Sequence, residues 1–192
     1  MTTVLFTKGD LEFCVSDTFE GKFLLSLLEN MKEKMLNETW DDYNEVHHCC
    51  KMIHEFSQIP GLVMDFHTLR RGEEQLGMVL LTHGAISADI YEQSGLHITD
   101  PLHQVVLLNY LHIAPEGRGN GTFWVRDLLM PMYADLGYTA MYLKTSHTKA
   151  FPFYDRLGAS VANYTFFSDN ALHRRTGRIY RLPLYEKALP KE

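Results

Sequence analysis

Asn109-Tyr-Leu-His-Ile-Ala-Pro-Glu-Gly-Arg-Gly-Asn-Gly-Thr-Phe-Trp124 is the stretch on which the fold turns. Its first residues end a run, Gln104 to Ile113, that is almost wholly apolar or aromatic, as in a central strand buried on both faces. A glycine-containing turn follows. A helix is then expected from about Gly121 to Leu136, ended by Gly137. Pro131 lies inside it and should kink or split it, because an interior proline costs about 3 kcal/mol. A strand that turns into a helix in this way aims backbone N–H groups at one point, where the helix N-terminus adds partial positive charge. Both favour a phosphate or pyrophosphate, and glycine lets the backbone approach it without a Cβ in the way. Arg118 can add a charge-assisted contact. Two common phosphate turns are excluded. Counting Gly-x-Gly-x-x-Gly from Gly117 or Gly119 ends on Thr122 or Trp124, and no Gly-Lys-Ser/Thr is present. A plain structural turn stays open on these residues alone.

Outward from this stretch, Thr2–Thr7 and Leu11–Ser16 read as short strands around Lys8-Gly9-Asp10. Asp17 with Glu20 is a helix start, and Phe19, Phe23, Leu27, Met31 and Met35 make an apolar stripe behind it. A second helix over 40–56 would put Tyr43, Val46, Cys50 and Ile53 on one face, ended by Pro60-Gly61. Leu62–Leu69 and Gln75–Thr82 form a hairpin around Arg70–Glu74. Tyr138–Thr145 is a strand, and Lys149–Leu157 is a short helix stopped by Gly158. Ser160–Ser168 and Arg178–Leu184 close the chain as strands. The order is that of a mixed α/β (α+β) domain with hairpins and crossovers. Residues 84–103 are long for a connection, and long loops in compact domains are often functional.

The composition fits one globular domain over residues 1–192: 45% of residues are hydrophobic and 22% charged. No apolar run reaches the roughly 18 residues of a membrane span. Residues 1–9 lack the pattern of a secretory leader. Three cysteines, two of them adjacent, suggest a reducing compartment, so a cytoplasmic location is expected. Residues 1–60 hold 5 Lys/Arg against 11 Asp/Glu, whereas residues 61–192 hold 13 of each. The overall pI near 5.9 argues against a duplex-binding surface. Arg174, Arg175, Arg178 and Arg181 are the local exception, read as a charged hairpin edge that resists strand pairing, with an anion or nucleic-acid patch as the alternative.

Two segments in the right order resemble the GCN5-related N-acetyltransferase (GNAT) family. Ile113-Ala114-Pro115 is similar to the strand end that precedes its acetyl-CoA signature, Arg/Gln-x-x-Gly-x-Gly/Ala. Arg118 and Gly121 match that signature, and Phe123 departs from it. In His147-Thr-Lys-Ala-Phe-Pro-Phe-Tyr-Asp-Arg-Leu-Gly-Ala159, the residues Ala150, Phe153, Tyr154 and Gly158 match a second family segment. His147 replaces its asparagine and Ala159 its final aromatic. The resemblance covers roughly residues 62–184 and implies a mostly antiparallel central sheet flanked by helices. It implies that N–H groups of Leu111, His112 and Ile113 hold the pantetheine arm of acetyl-CoA and polarise its thioester. Arg118, Gly119, Asn120, Gly121, Thr122, Phe123 and Trp124 would form the pyrophosphate turn, with His147 and Tyr154 beside the cofactor. Tyr154 would protonate the departing thiolate.

The resemblance leaves the base open. Where relatives carry Glu or His on the central strand, this chain has Asn109 and Leu107. His112 is adjacent but an odd number of residues away, so it is expected on the opposite face. His147, His103, Glu92 and a water chain are the other candidates. No metal is expected: His47, Cys50 and His54 share a predicted helix face but lack the short ligand spacing of a zinc site. The implied activity is acetyl transfer to a primary amine, on a small molecule or a peptide, by direct attack. The absence of cysteine from both segments argues against a covalent acetyl-enzyme. Glu20, Glu29, Glu33, Glu38, Asp41, Asp42 and Glu45, on or beside the first two helices, would attract a cationic acceptor. A non-catalytic acyl-CoA-binding module is the competing reading.

Overall fold

The computed structural model describes residues 1–39, 43–168, 171–172 and 174–185. Eight strands form one sheet: β1 (Thr3–Lys8), β2 (Leu11–Ser16), β3 (Leu62–Arg71), β4 (Glu74–Gly84), β5 (Val105–Ile113), β6 (Ala140–Thr145), β7 (Ala159–Phe167) and β8 (Arg174–Pro183). Their order is β1-β2-β3-β4-β5-β6-β8-β7. Every neighbouring pair is antiparallel except β5 and β6. Those two are parallel because a helical crossover connects them. This is the mostly antiparallel mixed sheet that the family resemblance implies. β8 inserts between β6 and β7, so the expected arginine-bearing edge is not an edge. Arg178 instead pairs with Asp155 at 3.4 Å and lies over the Phe151 ring.

Helices cover both faces. On the first, a π-helical segment (Phe123–Leu129) runs into α3 (Met130–Asp135), with α4 (Phe151–Asp155) beside them. Trp124, Leu129, Tyr133 and Tyr154 pack there against Val79, Val106 and Met141. The helix widens just before Pro131, whose ring lacks the N–H that an α register needs, and it continues rather than breaking. Beneath it, Tyr133 Oη donates to Asp65 Oδ2 at 2.5 Å, and His67 Nε2 lies 3.0 Å from the same hydroxyl. This polar cluster ties β3 to α3. Burial pushes His67 down to about 4, so the imidazole is neutral.

On the second face, α1 (Leu25–Leu36) and α2 (Glu45–Ser57) pack Phe23, Leu27, Cys49 and Ile53 against Phe66 and Leu80. Cys49 and Ile53, four apart, point inward together. Cys50, about 100° further round, is exposed, which corrects the expected face. Asp17 does not cap a helix; it accepts from Thr18 Oγ1 and the N-terminus. A 3-10 turn at Gly21–Leu24 leads into α1 instead, and only its start is buried: Met35 and Leu36 are exposed. Residues 40–42, including Asp41 and Asp42, lie outside the described residues. The 84–103 connection covers the rest of this face, burying Ile86 and Tyr91 on Val105, Leu107 and Tyr142. Among the described residues no helix is long and apolar enough to cross a membrane.

Candidate functional site

The site begins where the two parallel strands part. β5 and β6 are paired from Val105↔Ala140 to Leu108↔Leu143, and beyond that they no longer pair with each other. The separation is between these two strands only, since β5 stays paired with β4 and β6 with β8; it opens into a cleft of about 660 Å³ whose lining includes Asn109 to His112 on one strand and Leu143 to Thr145 on the other. That volume is in the range of small-molecule sites, roughly 300–1,000 Å³.

A β-bulge sets what each strand residue presents. Leu80 pairs with Tyr110 but Leu81 pairs with Leu108, so Asn109 is an extra residue on β5. Its side-chain amide donates to Thr82 Oγ1 at 2.9 Å and to the Leu107 carbonyl. One extra residue inverts the alternation. Val106 and Leu108 face the α3 layer before the bulge, as do Leu111 and Ile113 after it. Tyr110 joins the α1/α2 core, and His112 shares its face. The expectation that His112 points away is therefore wrong: it lines the cleft on the face that Leu107 occupies before the bulge.

Backbone groups alternate too. Ala114 N–H donates to the Leu76 carbonyl, which makes the His112–Met78 pair a hydrogen-bonded one. The His112 N–H is thus spent on β4. The N–H groups of Leu111 and Ile113 face the gap left by β6. Of the three groups expected to serve a thioester, two are available.

The turn after β5 is held from below. A Cβ on Gly117 would meet Ile113 Cγ2 at 3.0 Å and the Leu76 carbonyl at 3.1 Å, so glycine is needed for the chain to lie so close to β4. Gly119 has φ +89°, a backbone that L side chains rarely adopt. Asn120 Nδ2 donates to the Gly117 carbonyl at 3.0 Å. The Trp124 N–H is bonded to the Asn120 carbonyl at 2.8 Å, which leaves the preceding N–H groups of the first turn for a ligand. Trp124 is consequently no ligand. Its N–H is used and its ring is fully buried against Phe13, at 5.7 Å between centroids. Phe123 turns away from the turn and packs between Phe6 and Phe13, at 5.2 and 5.3 Å. Arg118 is exposed at the turn. Sequence reasoning missed Lys8. It reaches from the β1–β2 hairpin to Asn120 Oδ1 at 3.3 Å and lies over the Phe123 ring, adding a second cation there.

Tyr154, on α4, reaches the cleft from the α3 side, its ring 5.4 Å from that of Tyr180. Burial, reinforced by Tyr180, raises its pKa, so the phenol stays protonated. Gly158 closes α4 against β8, where a Cβ would run into the Arg181 carbonyl. His112 is shifted the other way. Burial lowers its pKa, opposed by Glu45 and aided by Lys34 and Arg118. Its Nε2 is buried without a hydrogen-bond partner among the described residues. A protonated phenol and a neutral imidazole thus approach one gap from opposite faces of the sheet. His147 lines the cleft as well, while Glu92 and His103 are exposed and do not line it.

The second face closes the cleft with α1, α2, the 84–103 segment and β7. Gln93 and Ser94 line it, so this connection does wall the pocket. Asp100 anchors the segment. It accepts from Arg181 Nε and Nη2 at 2.8 and 2.6 Å and from Tyr142 Oη at 2.6 Å, and the guanidinium holds its carboxyl down at about 2. Of the acidic residues on or beside the first helices, Glu45 alone among those described lines the cleft. It is bonded to Lys34 at 3.2 Å and Asn30 at 3.1 Å. Among the described residues no group of three or more His, Cys, Asp or Glu is placed to hold a metal ion.

No family model matches the sequence, and no curated protein matches it closely enough to be compared. Solved structures do match it. Ard1 from Thermoplasma volcanium superposes with a TM-score of 0.57 at 10% identity, over 91% of this chain and 99% of that one. The chain has the GNAT fold. A GNAT-family protein from Desulfovibrio desulfuricans matches over 91% of this chain and 99% of its own, at a TM-score of 0.53 and 14% identity. Spermidine N-acetyltransferase from Vibrio cholerae, solved with CoA and spermine, matches over 90% and 95% at 0.51 and 15%. At these identities the likeness establishes the GNAT fold and leaves the chemistry to the residues.

Proposed function

We propose that this protein is an acetyl-CoA-dependent N-acetyltransferase that moves an acetyl group to a primary amine by direct attack in a ternary complex. The observation that carries the reading is the pairing of Tyr154 and His112 across the β5–β6 gap. Acetyl-CoA would lie along the open edge of β5. Its pyrophosphate would meet the N–H groups of Gly119 to Phe123 with Arg118 and Lys8, and its pantetheine would pass His147. The N–H groups of Leu111 and Ile113 fit the oxygen that becomes negative when the thioester is attacked. In the transfer the amine nitrogen bonds to the acetyl carbon and the carbon–sulfur bond breaks. His112, neutral, takes the proton that the amine loses. Tyr154 gives its proton to the leaving thiolate. A pure acyl-CoA-binding module has no use for such a pair. The amine-binding side belongs to α2, the 84–103 segment and β7, and a cytoplasmic location and a single domain over 1–192 accord with this reading.

Thiol release from acetyl-CoA, measured with a panel of primary amines, tests the proposal. Amine-dependent release that falls in Tyr154→Phe is expected. A protein that acetyl-CoA stabilises thermally but that releases no thiol with any amine would be a binding module instead.

A further inference from the structure

We infer that the acceptor of this protein is a primary amine that carries an aromatic ring, received on the amine side of the cleft by the Tyr164 and Phe166 rings of β7. This rests on the acetyltransferase reading and specifies its second substrate.

Tyr164 and Phe166, two apart on β7, share one face of the strand and line the cleft. Their rings are near-parallel, with 22° between planes and 5.8 Å between centroids. The neighbouring strand seats the Tyr164 ring. Tyr164 pairs with Gly177 of β8, and its Cζ, Cε1 and hydroxyl fill the place where a side chain at 177 would stand. Gly177 does not have the positive φ that would call for glycine, so room for this ring is what its missing side chain provides. The Tyr164 hydroxyl is hydrogen-bonded to Ser146, which lines the cleft just past β6. Behind it the ring packs on the cluster of Tyr91, Tyr142 and Ile179. A ring held in this way is ordered before a ligand arrives, and little rotamer freedom is left to lose on binding. From the start of α2, Tyr43 stacks on His48, at 4.6 Å and 12°, and both line the same cleft. Burial, then the nearby Tyr43, push the Tyr164 phenol up to about 12, so this side offers uncharged ring faces and hydroxyls. An aromatic ring beside the amine would pack on those faces. A second positive charge is served less well: Glu45, the one carboxylate lining the cleft among the described residues, is already bonded to Lys34 and Asn30. The required chemistry is found both in a small arylalkylamine and in a peptide that begins with an aromatic residue.

Amines of similar size test this in the thiol-release assay: phenylethylamine against hexylamine, and against cadaverine, whose far end is charged. A tripeptide amide beginning with phenylalanine against one beginning with leucine forms the peptide arm. In at least one arm the aromatic member should have a kcat/KM about three- to tenfold above its aliphatic partner, the span for a ring–ring contact beyond the area it buries, and that arm identifies the source. Tyr164→Leu should abolish the preference and Tyr164→Phe should keep it. Gly177→Ala should abolish it too, without touching the acceptor, because the added Cβ displaces the ring. The thermal shift given by CoA should be unchanged in all three. A preference below threefold in both arms overturns the inference, as does cadaverine outrunning phenylethylamine. So does a preference that survives Tyr164→Leu or Gly177→Ala, or a Tyr164→Leu protein that loses CoA binding. Turnover of aromatic and aliphatic amines alike defeats this inference alone. No turnover of any amine defeats the acetyltransferase reading and this inference with it.

Discussion

One side of the site is a nearly continuous piece of chain: β5 runs into the glycine turn and on into the π segment and α3, with α4 following one strand later, and of these β5 and α4 line the cleft. The opposite wall is assembled from α1, α2, the 84–103 segment and β7, which come from distant parts of the sequence and meet only in the folded molecule. The continuous wall offers backbone N–H groups, a geometry that any chain of this fold can make. The assembled wall offers side chains, Glu45, Gln93 and Ser94 among them, that another sequence could replace without disturbing the sheet. The proposed function assigns cofactor chemistry to the first wall and acceptor choice to the second, so mutations should separate the two by wall.

The largest separation is expected at Gly121. Its Cβ position lies 3.3 Å from Ile113 Cδ1 and 3.6 Å from the Phe153 ring. Gly121→Asp would crowd the turn and put a carboxylate among the N–H groups proposed to hold the pyrophosphate. The rise in melting temperature given by acetyl-CoA should vanish, while Gly121→Ala keeps a part of it. Undiminished CoA binding in Gly121→Asp would remove the cofactor from this wall.

Next in size is Tyr154→Phe, which should lower kcat by about 10²- to 10⁴-fold, the span for loss of a general acid, with CoA affinity nearly intact. Wild-type kcat would make Tyr154 a packing residue. His112→Gln is expected to cost less, about tenfold to a hundredfold, because water can accept the proton in its place. Its pH signature is more telling. Burial lowers the His112 pKa, so the base is neutral at pH 7, and activity should fall only as the pH drops through that lowered value, below 6.5. In kcat/KM against pH, this acid limb should be present in the wild type and absent in His112→Gln. An identical limb in both proteins would transfer the role to another group.

The same division explains what could be read from the sequence. The placement of Arg118, Gly121, Tyr154 and Gly158 was legible because it depends on close neighbours in the chain. Phe123 was legible as a departure but not in its consequence, since its ring is received by Phe6 and Phe13 from the far N-terminal hairpin. Lys8 was invisible for the same reason: its partner Asn120 is 112 residues away. The orientation of His112 was misread because a bulge has no compositional mark. Asn109 becomes an extra residue only through the register β4 imposes on β5. The acidic lining was overread. Charge along a chain says how many carboxylates there are, and packing decides which of them reach a cleft.

A smaller effect, confined to the assembled wall, is expected at Asp100. Its bidentate bonds to Arg181 fix the end of the segment that carries Gln93 and Ser94 to the cleft. Asp100→Asn keeps the shape and loses the charge. Acceptor KM should rise about fivefold, equivalent to roughly 1 kcal/mol for a partly exposed pair, with the Kd of CoA unchanged. A matching loss of CoA affinity would mean that the segment supports both walls.

The smallest effect is expected where the sequence placed the most charge. Glu29 and Glu33 lie on the exposed flank of α1, and Glu29 is 69% exposed beside Lys32. If acidic helices steered a cationic amine, the double variant Glu29→Gln, Glu33→Gln would slow it, and kcat/KM would lose its dependence on salt. The structure argues otherwise. Neither side chain lines the cleft, and solvent ions screen exposed charges within about 10 Å at 0.1 M. The double variant should therefore change kcat/KM by less than about twofold at any ionic strength, and in either direction. Glu45→Gln should do more, because Glu45 lines the cleft and its carboxylate opposes the downward shift of His112. A threefold or larger fall in the Glu29, Glu33 variant, abolished by added salt, would restore long-range steering and with it a cationic acceptor.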